Sequence, residues 1–490
     1  MATAIGQEVG YVKSVRNYLL NIDGLPSIEI NDLVENSEGV RGVVNALHGE
    51  TTEVLLLDDA TVLPGDLFKR TPLKLTLNVG DHLLGRAINP IGIPIDGRGQ
   101  LIKTAVAHNE EVDKTALGIF SREFIKDQFV SGVAVIDTLV PLGKGQRELV
   151  IGDAHSGKTT FLIDLILNSK QAERICIYAM IGKPATAVRN LIDILRENNA
   201  LAYSIIVATS SADPAPLIFM TPHTAMTVAE FYQKQGKDVL IILDDLGVHA
   251  KVYREISLLG DSSPGRESYP GDIFYQHSHL LERAGNYNIK YGGGSITAIP
   301  VIELNMNDFS GYIPTNLMSM TDGHLLFSAT LHNQGIRPAI DISLSVSRVG
   351  RQTQDRIQNA LSQKLREVLV RAAQFETLSR FSSELPLETQ IILNQKKQVD
   401  MMLKQDTIAY ISLEVQTLML CLVFTTFFQS SPLEFIEANK IKFIQAFNSD
   451  PKLNSFVKGY HQFKTVEDLI KALDGAKSAL DEVAKGQPVA

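Results

Sequence analysis

The stretch Gly152-Asp153-Ala154-His155-Ser156-Gly157-Lys158-Thr159-Thr160 has the spacing G-x-x-x-x-G-K-T. Glycines at these positions let the main chain wrap closely around phosphate oxygens. The loop amides and the N-terminus of a following helix then point at the anion. In such a loop Lys158 contacts the β and γ phosphates and Thr159 offers its hydroxyl to Mg2+. The chemistry implied is nucleotide binding. A second element, "VLIILDDLG", ends an apolar run at Asp244 and Asp245. A carboxylate at that point reaches Mg2+ through water; the other role open to the pair is a turn or a helix N-cap.

Hydrolysis also needs a group that orients or activates the attacking water. Its expected place is the end of the strand in "IYAMIGKPATA", and the residue there is Lys183. A protonated lysine cannot accept a proton. No carboxylate follows until Glu197, well into the next helix. The pocket is equipped to bind Mg-nucleotide but lacks a base. Further on, "LSVSRVGRQTQ" places Arg348 two residues before Gly350. Two readings stand for it: a structural arginine at a domain junction, or an arginine finger reaching into a neighbouring subunit's pocket.

Three kinds of element must position these residues. Residues 1–72 carry brief apolar or alternating runs, "VGYVKSV", "SIEIN", "GVVNAL", "TEVLLLD" and "DLFKR", split by Gly, Asn, Asp and Pro. That spacing predicts short strands in a small barrel or sandwich. Residues 73–354 alternate continuous apolar runs, "ELVIG", "RICIYAMIG", "YSIIVATS" and "VLIILDD", with helical segments such as "TAVRNLIDILREN" and "TPHTAMTVAEFYQKQ". Runs of this kind are parallel strands buried on both faces, with the working end at the strand C-termini. The helix opening at Lys158 should bury Phe161, Leu162, Leu165 and Ile166. Residues 355–490 read as helical, with charged outer faces in "QDRIQNALSQKLREVLVRAAQFETLSRF" and "TVEDLIKALDGAKSALDEVAKG". The expected order is β-barrel, α/β P-loop domain with a parallel RecA-like sheet, and helical bundle.

Bulk properties narrow the function further. The chain has 490 residues and a formal net charge of −9, and residues 1–72 hold 5 Lys/Arg against 11 Asp/Glu. An acidic barrel with few aromatics is a poor nucleic-acid platform. Only Cys176 and Cys421 occur, so neither a disulfide framework nor a metal spacing is expected, and a reducing cytosolic setting fits. The start "MATAIGQEVGYV" shows neither a secretory signal pattern nor an Arg-rich transit pattern. The longest uncharged apolar run, Thr417–Phe428, is short of the ~18–20 residues that span a bilayer, which predicts a buried helix or an interface.

Taken together the motifs resemble the alpha subunit of F-type ATP synthase over nearly the whole chain. The stretches that carry the resemblance are "LVPLGKGQRELVIGD", "DDL", "PGRESYPGDIFYQHSHLLERA", "GGGSITAIPVIE", "YIPTNLMSMTDG" and "GIRPAIDISLSVSRVG", in that order. The resemblance implies a hexamer of alternating alpha and catalytic beta subunits around a central gamma shaft. The alpha sites would be non-catalytic and hold ATP or ADP with Mg2+. Contact with a membrane would come only through partner subunits, at its cytoplasmic face in a bacterium. It assigns the nucleotide loop to Gly152–Thr160, the metal-linked carboxylate to Asp244 and the metal-binding hydroxyl to Thr159. Arg348 is similar to the alpha arginine that enters the neighbouring beta site. Arg337 and Gln405 match positions lining the nucleotide pocket, and residues 263–272, "SPGRESYPGD", match a loop facing the shaft.

The chain departs from the family pattern at several of these places. Ala154, His155 and Ser156 stand where Arg, Gln and Thr are usual, and Pro184 replaces a usual Lys. Lys183 stands where alpha subunits have Gln and beta subunits their catalytic Glu. At the base-binding end His332 replaces an aromatic residue and Thr407 replaces a Gln. The usual N-terminal helical segment that meets the peripheral stalk is not expected, so attachment to that stalk should differ. The helical domain departs most, with "ETLSRFSSELP" in place of an "FGSDLD"-like stretch. Two other functions share the core. A homohexameric export-type ATPase would need a glutamate at position 183, and a Rho-type translocase would need a nucleic-acid surface.

Overall fold

The computed structural model describes residues 8–102, 107–304, 308–379, 386–406 and 410–485. The chain forms two compact units. The first comprises residues 1–124, 144–154 and 169–324, and the second residues 125–143, 155–168 and 325–490.

The first unit opens with a closed barrel of six antiparallel strands. Around the barrel they run Val9–Arg16, Leu19–Asp23, Thr51–Leu56, Arg41–His48, Asp32–Asn36 and Leu67–Lys74, the last pairing again with the first. Closure decides for a barrel over a sandwich and leaves no free sheet edge. Alternate residues point inward, and Val12, Leu20, Ile22, Val34, Val44, Val54 and Phe68 are almost fully buried. Gly42 is required where strands crowd, since a Cβ there would lie 2.4 Å from Cγ1 of Val54. One predicted strand is absent: "SIEIN" is a turn ahead of Asp32–Asn36. Its alternation is overridden by Asn31, which sits at φ 70°, and by Asp32, whose carboxylate accepts from the Glu29 amide.

The same unit holds a parallel sheet. Its neighbouring strands are Glu148–Asp153, Ser295–Leu304, Asp238–Asp244, Ile175–Lys183, Ser204–Ser210 and Ala87–Ile88. The four inner strands are buried along nearly their whole length, as continuous apolar runs demand. Helix Ala215–Gln233 packs on the sheet and is buried on almost every face. Arg283 is fully buried beside it, and its guanidinium donates to both carboxylate oxygens of Glu230 at 2.7 and 3.0 Å.

The second unit is helical. Helix Lys158–Ser169 buries Phe161, Leu162, Leu165 and Ile166, the face predicted from its spacing. The bundle includes helices Arg356–Ser379, Leu387–Leu403, Leu413–Leu422, Leu433–Ser449 and Val466–Gly475. The apolar run from Thr417 lies in its core, with Leu418, Leu422 and Phe428 fully buried. Among the described residues no helix is long and apolar enough to cross a membrane. The segment from Thr465 is helical as expected and forms two helices, Val466–Gly475 and Lys477–Ala484, divided at Ala476.

Candidate functional site

The phosphate loop is a strand-to-helix turn. Strand Glu148–Asp153 ends at Asp153, and helix Lys158–Ser169 begins at Lys158. Between them the chain passes from the first unit into the second. His155 and Gly157 take positive φ of 57° and 92°. Glycine accepts that conformation freely, whereas His155 holds it at a cost of about 1 kcal/mol. Ser156 and Lys158 are buried, while Ala154, His155, Thr159 and Thr160 are exposed.

In the first unit the C-terminal edge of the sheet collects Asp153, Asp244, Lys183 and Glu303. Gly152 is in register with Glu303 on one neighbouring strand, and Asp244 is in register with Met180 on another. Lys183 Nζ lies 2.7 Å from Oδ1 of Asp244 and 3.9 Å from Oδ2 of Asp245. The Tyr178 hydroxyl donates to Oδ2 of Asp244 at 2.9 Å. Burial opposes charge on Lys183, but the carboxylates of Asp244, Asp245 and Glu303 outweigh it and hold the ammonium above its ordinary value. Burial pushes the Asp245 carboxyl up, against the pull of Lys183. Asp245 is also the N-cap of helix Leu246–Leu259, its Oδ1 accepting from the Val248 amide at 2.6 Å. The two aspartates of "DDL" thus have different tasks.

Lysine is therefore the group at the end of Ile175–Lys183, and it is engaged. Glu197 is exposed at the far end of the 13-residue helix Ala185–Glu197. At 1.5 Å per residue that is about 20 Å from the strand end. Glu303 and Tyr178 were not foreseen from sequence, because their positions depend on strand adjacency. Thr159 and Asp244 supply the oxygen chemistry that Mg2+ takes. As arranged, however, each Asp244 oxygen already carries a protein donor, and the Lys183 ammonium at Oδ1 opposes a second cation beside it. Among the described residues no group of three or more His, Cys, Asp or Glu is placed to hold a metal.

The second unit contains a cavity of about 210 Å³ at the start of the loop helix. Gly157, Thr160, Phe161, Asp164 and Asn168 line one side, and His332, Arg337, Gln405 and Asp406 line the other. His332 stands over the loop: a Cβ on Gly157 would lie 3.4 Å from its Cδ2. The cavity thus brings His332 and Arg337 together with Gln405, which is distant from them in sequence. Thr407 lies outside the described residues.

Gln405, which lines the cavity as its sequence match suggests, also bonds to the main chain. Its Oε1 accepts from the Ala134 amide at 3.0 Å, and its Nε2 donates to the Gly132 carbonyl at 2.7 Å. It clamps the segment that carries Val133 into the cavity wall. Asp137 holds the same segment from beneath. Its carboxylate accepts from the Ser131 amide and hydroxyl, both at 2.8 Å, and from the Gly132 amide and Gln416 Nε2, both at 2.9 Å. Burial pushes the Asp137 carboxyl up despite these bonds. The sequence signal for it was a lone acid in the apolar run Val133–Leu142.

Arg348 follows the short strand Val346–Ser347 and is exposed. Among the described residues it makes no hydrogen bond or ion pair. The turn beneath it is firmly held. The Ser347 hydroxyl donates to the Pro141 carbonyl at 2.7 Å and accepts from the Gly350 amide at 3.1 Å. Any Cβ at Gly350 would lie 1.5 Å from the Pro141 oxygen, so only glycine fits.

Comparison with known proteins decides the family. Residues 132–347 match the family described as "ATP synthase alpha/beta family, nucleotide-binding domain", and residues 354–477 match "ATP synthase alpha/beta chain, C terminal domain". The chain is 38% identical to the ATP synthase subunit alpha of Mycoplasma pneumoniae, over 95% of this chain and 89% of that protein. The chain belongs to the ATP synthase alpha-subunit family. It is also 42% identical to the subunit alpha of Macrococcus caseolyticus, over 81% of this chain and 79% of that one. A mitochondrial subunit alpha from Dictyostelium citrinum is 35% identical over 98% of this chain and 92% of its own. The stretch matched to the family's nucleotide-binding domain contains the phosphate loop, Lys183 and Asp244.

Proposed function

We propose that this chain is the non-catalytic, nucleotide-holding alpha subunit of a rotary ATP synthase that moves protons or sodium ions. It holds ATP or ADP on Gly152–Thr160, with the cavity under His332 and Arg337 taking the rest of the nucleotide. Thr159 is the hydroxyl that would meet Mg2+ accompanying the nucleotide, and Asp244 is the metal-linked carboxylate of the family pattern, here already paired with Lys183. The observation that carries the reading is the Lys183–Asp244 ion pair at 2.7 Å. It puts a cation, not a base, at the strand end where a water-activating carboxylate is needed. The reading places the subunit in alternation with catalytic beta subunits around a gamma shaft. Residues 263–272 would face that shaft. The complex meets the cytoplasmic face of a bacterial membrane only through other subunits.

Arg348 is the group this subunit contributes to its neighbour. An exposed, unpaired guanidinium on a pinned turn suits delivery of charge to a phosphoryl group in another chain. The test is a reconstituted complex with a beta partner and Arg348→Ala. Turnover should fall ~10³-fold or more, with ATP binding to this chain unchanged. Unchanged turnover would overturn the finger assignment.

A further inference from the structure

We propose that Lys183 is a built-in counter-cation for Asp244, so that this chain holds ATP with little dependence on Mg2+. The inference rests on the nucleotide-binding reading above and concerns how that site is regulated.

The argument lies within the first unit. Three strands, Asp238–Asp244, Ser295–Leu304 and Glu148–Asp153, lie side by side and point the same way. Asp244 therefore sits at the edge from which the phosphate loop departs, two strands away, or about 10 Å at the usual strand spacing. A carboxylate there would ordinarily be balanced by a metal ion travelling with the phosphates. In this chain the balance is supplied from the next strand. Lys183 Nζ meets Oδ1 at 2.7 Å and Tyr178 meets Oδ2 at 2.9 Å, so each oxygen already carries a protein donor, one of them a cation. The Asp244 side chain is only 8% exposed, which leaves its remaining lone pairs little access to solvent. Asp245 is the second carboxylate within reach of the ammonium, and its other oxygen is committed to the helix cap.

Mg2+ demands near-octahedral oxygen ligands and gives up its waters reluctantly. A metal ion bridging through water to Asp244 would meet the positive charge of the ammonium already seated at Oδ1, and relief of that repulsion would require Lys183 to move. Displacing Lys183 would strip a buried carboxylate of its partner, which is costly. The ammonium is a compact charge with three donors. It neutralises Asp244 whether or not Mg2+ is present.

The test is calorimetric titration of the full chain with ATP, once with Mg2+ and once with EDTA. For the unaltered chain the Kd should differ by less than about threefold between the two. Lys183→Gln keeps the length and removes the charge, and should acquire a Mg2+ requirement of about tenfold or more. Lys183→Arg should behave as the unaltered chain does. A loss of about tenfold or more by the unaltered chain in EDTA would overturn the inference, as would Lys183→Gln showing no added metal requirement. ATP failing to bind in either buffer would overturn the nucleotide-binding reading itself, and this inference with it.

Discussion

Replacing Gln405 by Ala separates a residue that shapes the cavity from one that contacts nucleotide. The Gln405 amide bridges the Gly132 carbonyl and the Ala134 amide, at 2.7 and 3.0 Å, and the residue is 8% exposed. Truncation leaves both main-chain groups without that partner. Each unsatisfied buried group costs roughly 1–3 kcal/mol, and the lost side-chain packing adds about 1 kcal/mol. Water entering from the adjoining 210 Å³ cavity would satisfy part of this. The expected loss is therefore about 2–4 kcal/mol. The assay is urea unfolding of the chain with no nucleotide present. Gln405→Glu should lose nearly as much, because a carboxylate cannot donate to the Gly132 carbonyl. If Gln405→Ala matched the unaltered chain within about 0.5 kcal/mol and lost only ATP affinity, the clamp reasoning would be refuted.

Two further outcomes follow from local geometry. Gly157→Ala forces a side chain to φ 92°, with its Cβ 3.4 Å from the His332 ring. The strain is about 1–2 kcal/mol, so ATP affinity should drop roughly tenfold with the helix content unchanged; calorimetry and circular dichroism check this, and unaltered affinity would contradict it. His223 and His277 are buried, and burial first of all lowers them to about 4 and about 3 from 6.5. Below pH 6.5 the unfolded chain takes up protons that the folded chain excludes. Their contribution to stability is thus present above pH 6.5 and is lost as pH falls toward 4, at up to about 1.4 kcal/mol per pH unit for each histidine. Urea midpoints across that window should show a shallower fall for His223→Asn than for the unaltered chain; parallel curves would count against it.

The readable parts of the sequence were those set by local periodicity and local chemistry. The phosphate loop, the burial of Phe161, Leu162, Leu165 and Ile166, and the strand ending at Asp244 all follow from residues close together in the chain. The expected barrel is present, but the pairing that closes it, Val9–Arg16 with Leu67–Lys74, joins opposite ends of the segment and could not be read from local pattern. "SIEIN" alternates like a strand, and only the capping of Glu29 by Asp32 and the left-handed Asn31 turn it aside. Lys183 was legible as a residue unable to act as a base. Its partner was not, since the contact with Asp244 is made across strands more than sixty residues apart. Gln405 and Asp137 show the same limit. Gln405 bonds to Gly132 and Ala134, and Asp137 to Gln416, each across more than 270 residues of chain.

The measurement that bears most directly on the account is MgATP turnover by the purified chain alone, with ATP binding measured in the same samples. A non-catalytic alpha subunit with Lys183 in place of a base predicts binding without turnover, and turnover only after a beta partner is added. Sustained hydrolysis by the chain alone would contradict it. It would mean that another carboxylate, such as Glu303 at the same sheet edge, activates water, and it would favour a self-sufficient homohexameric motor.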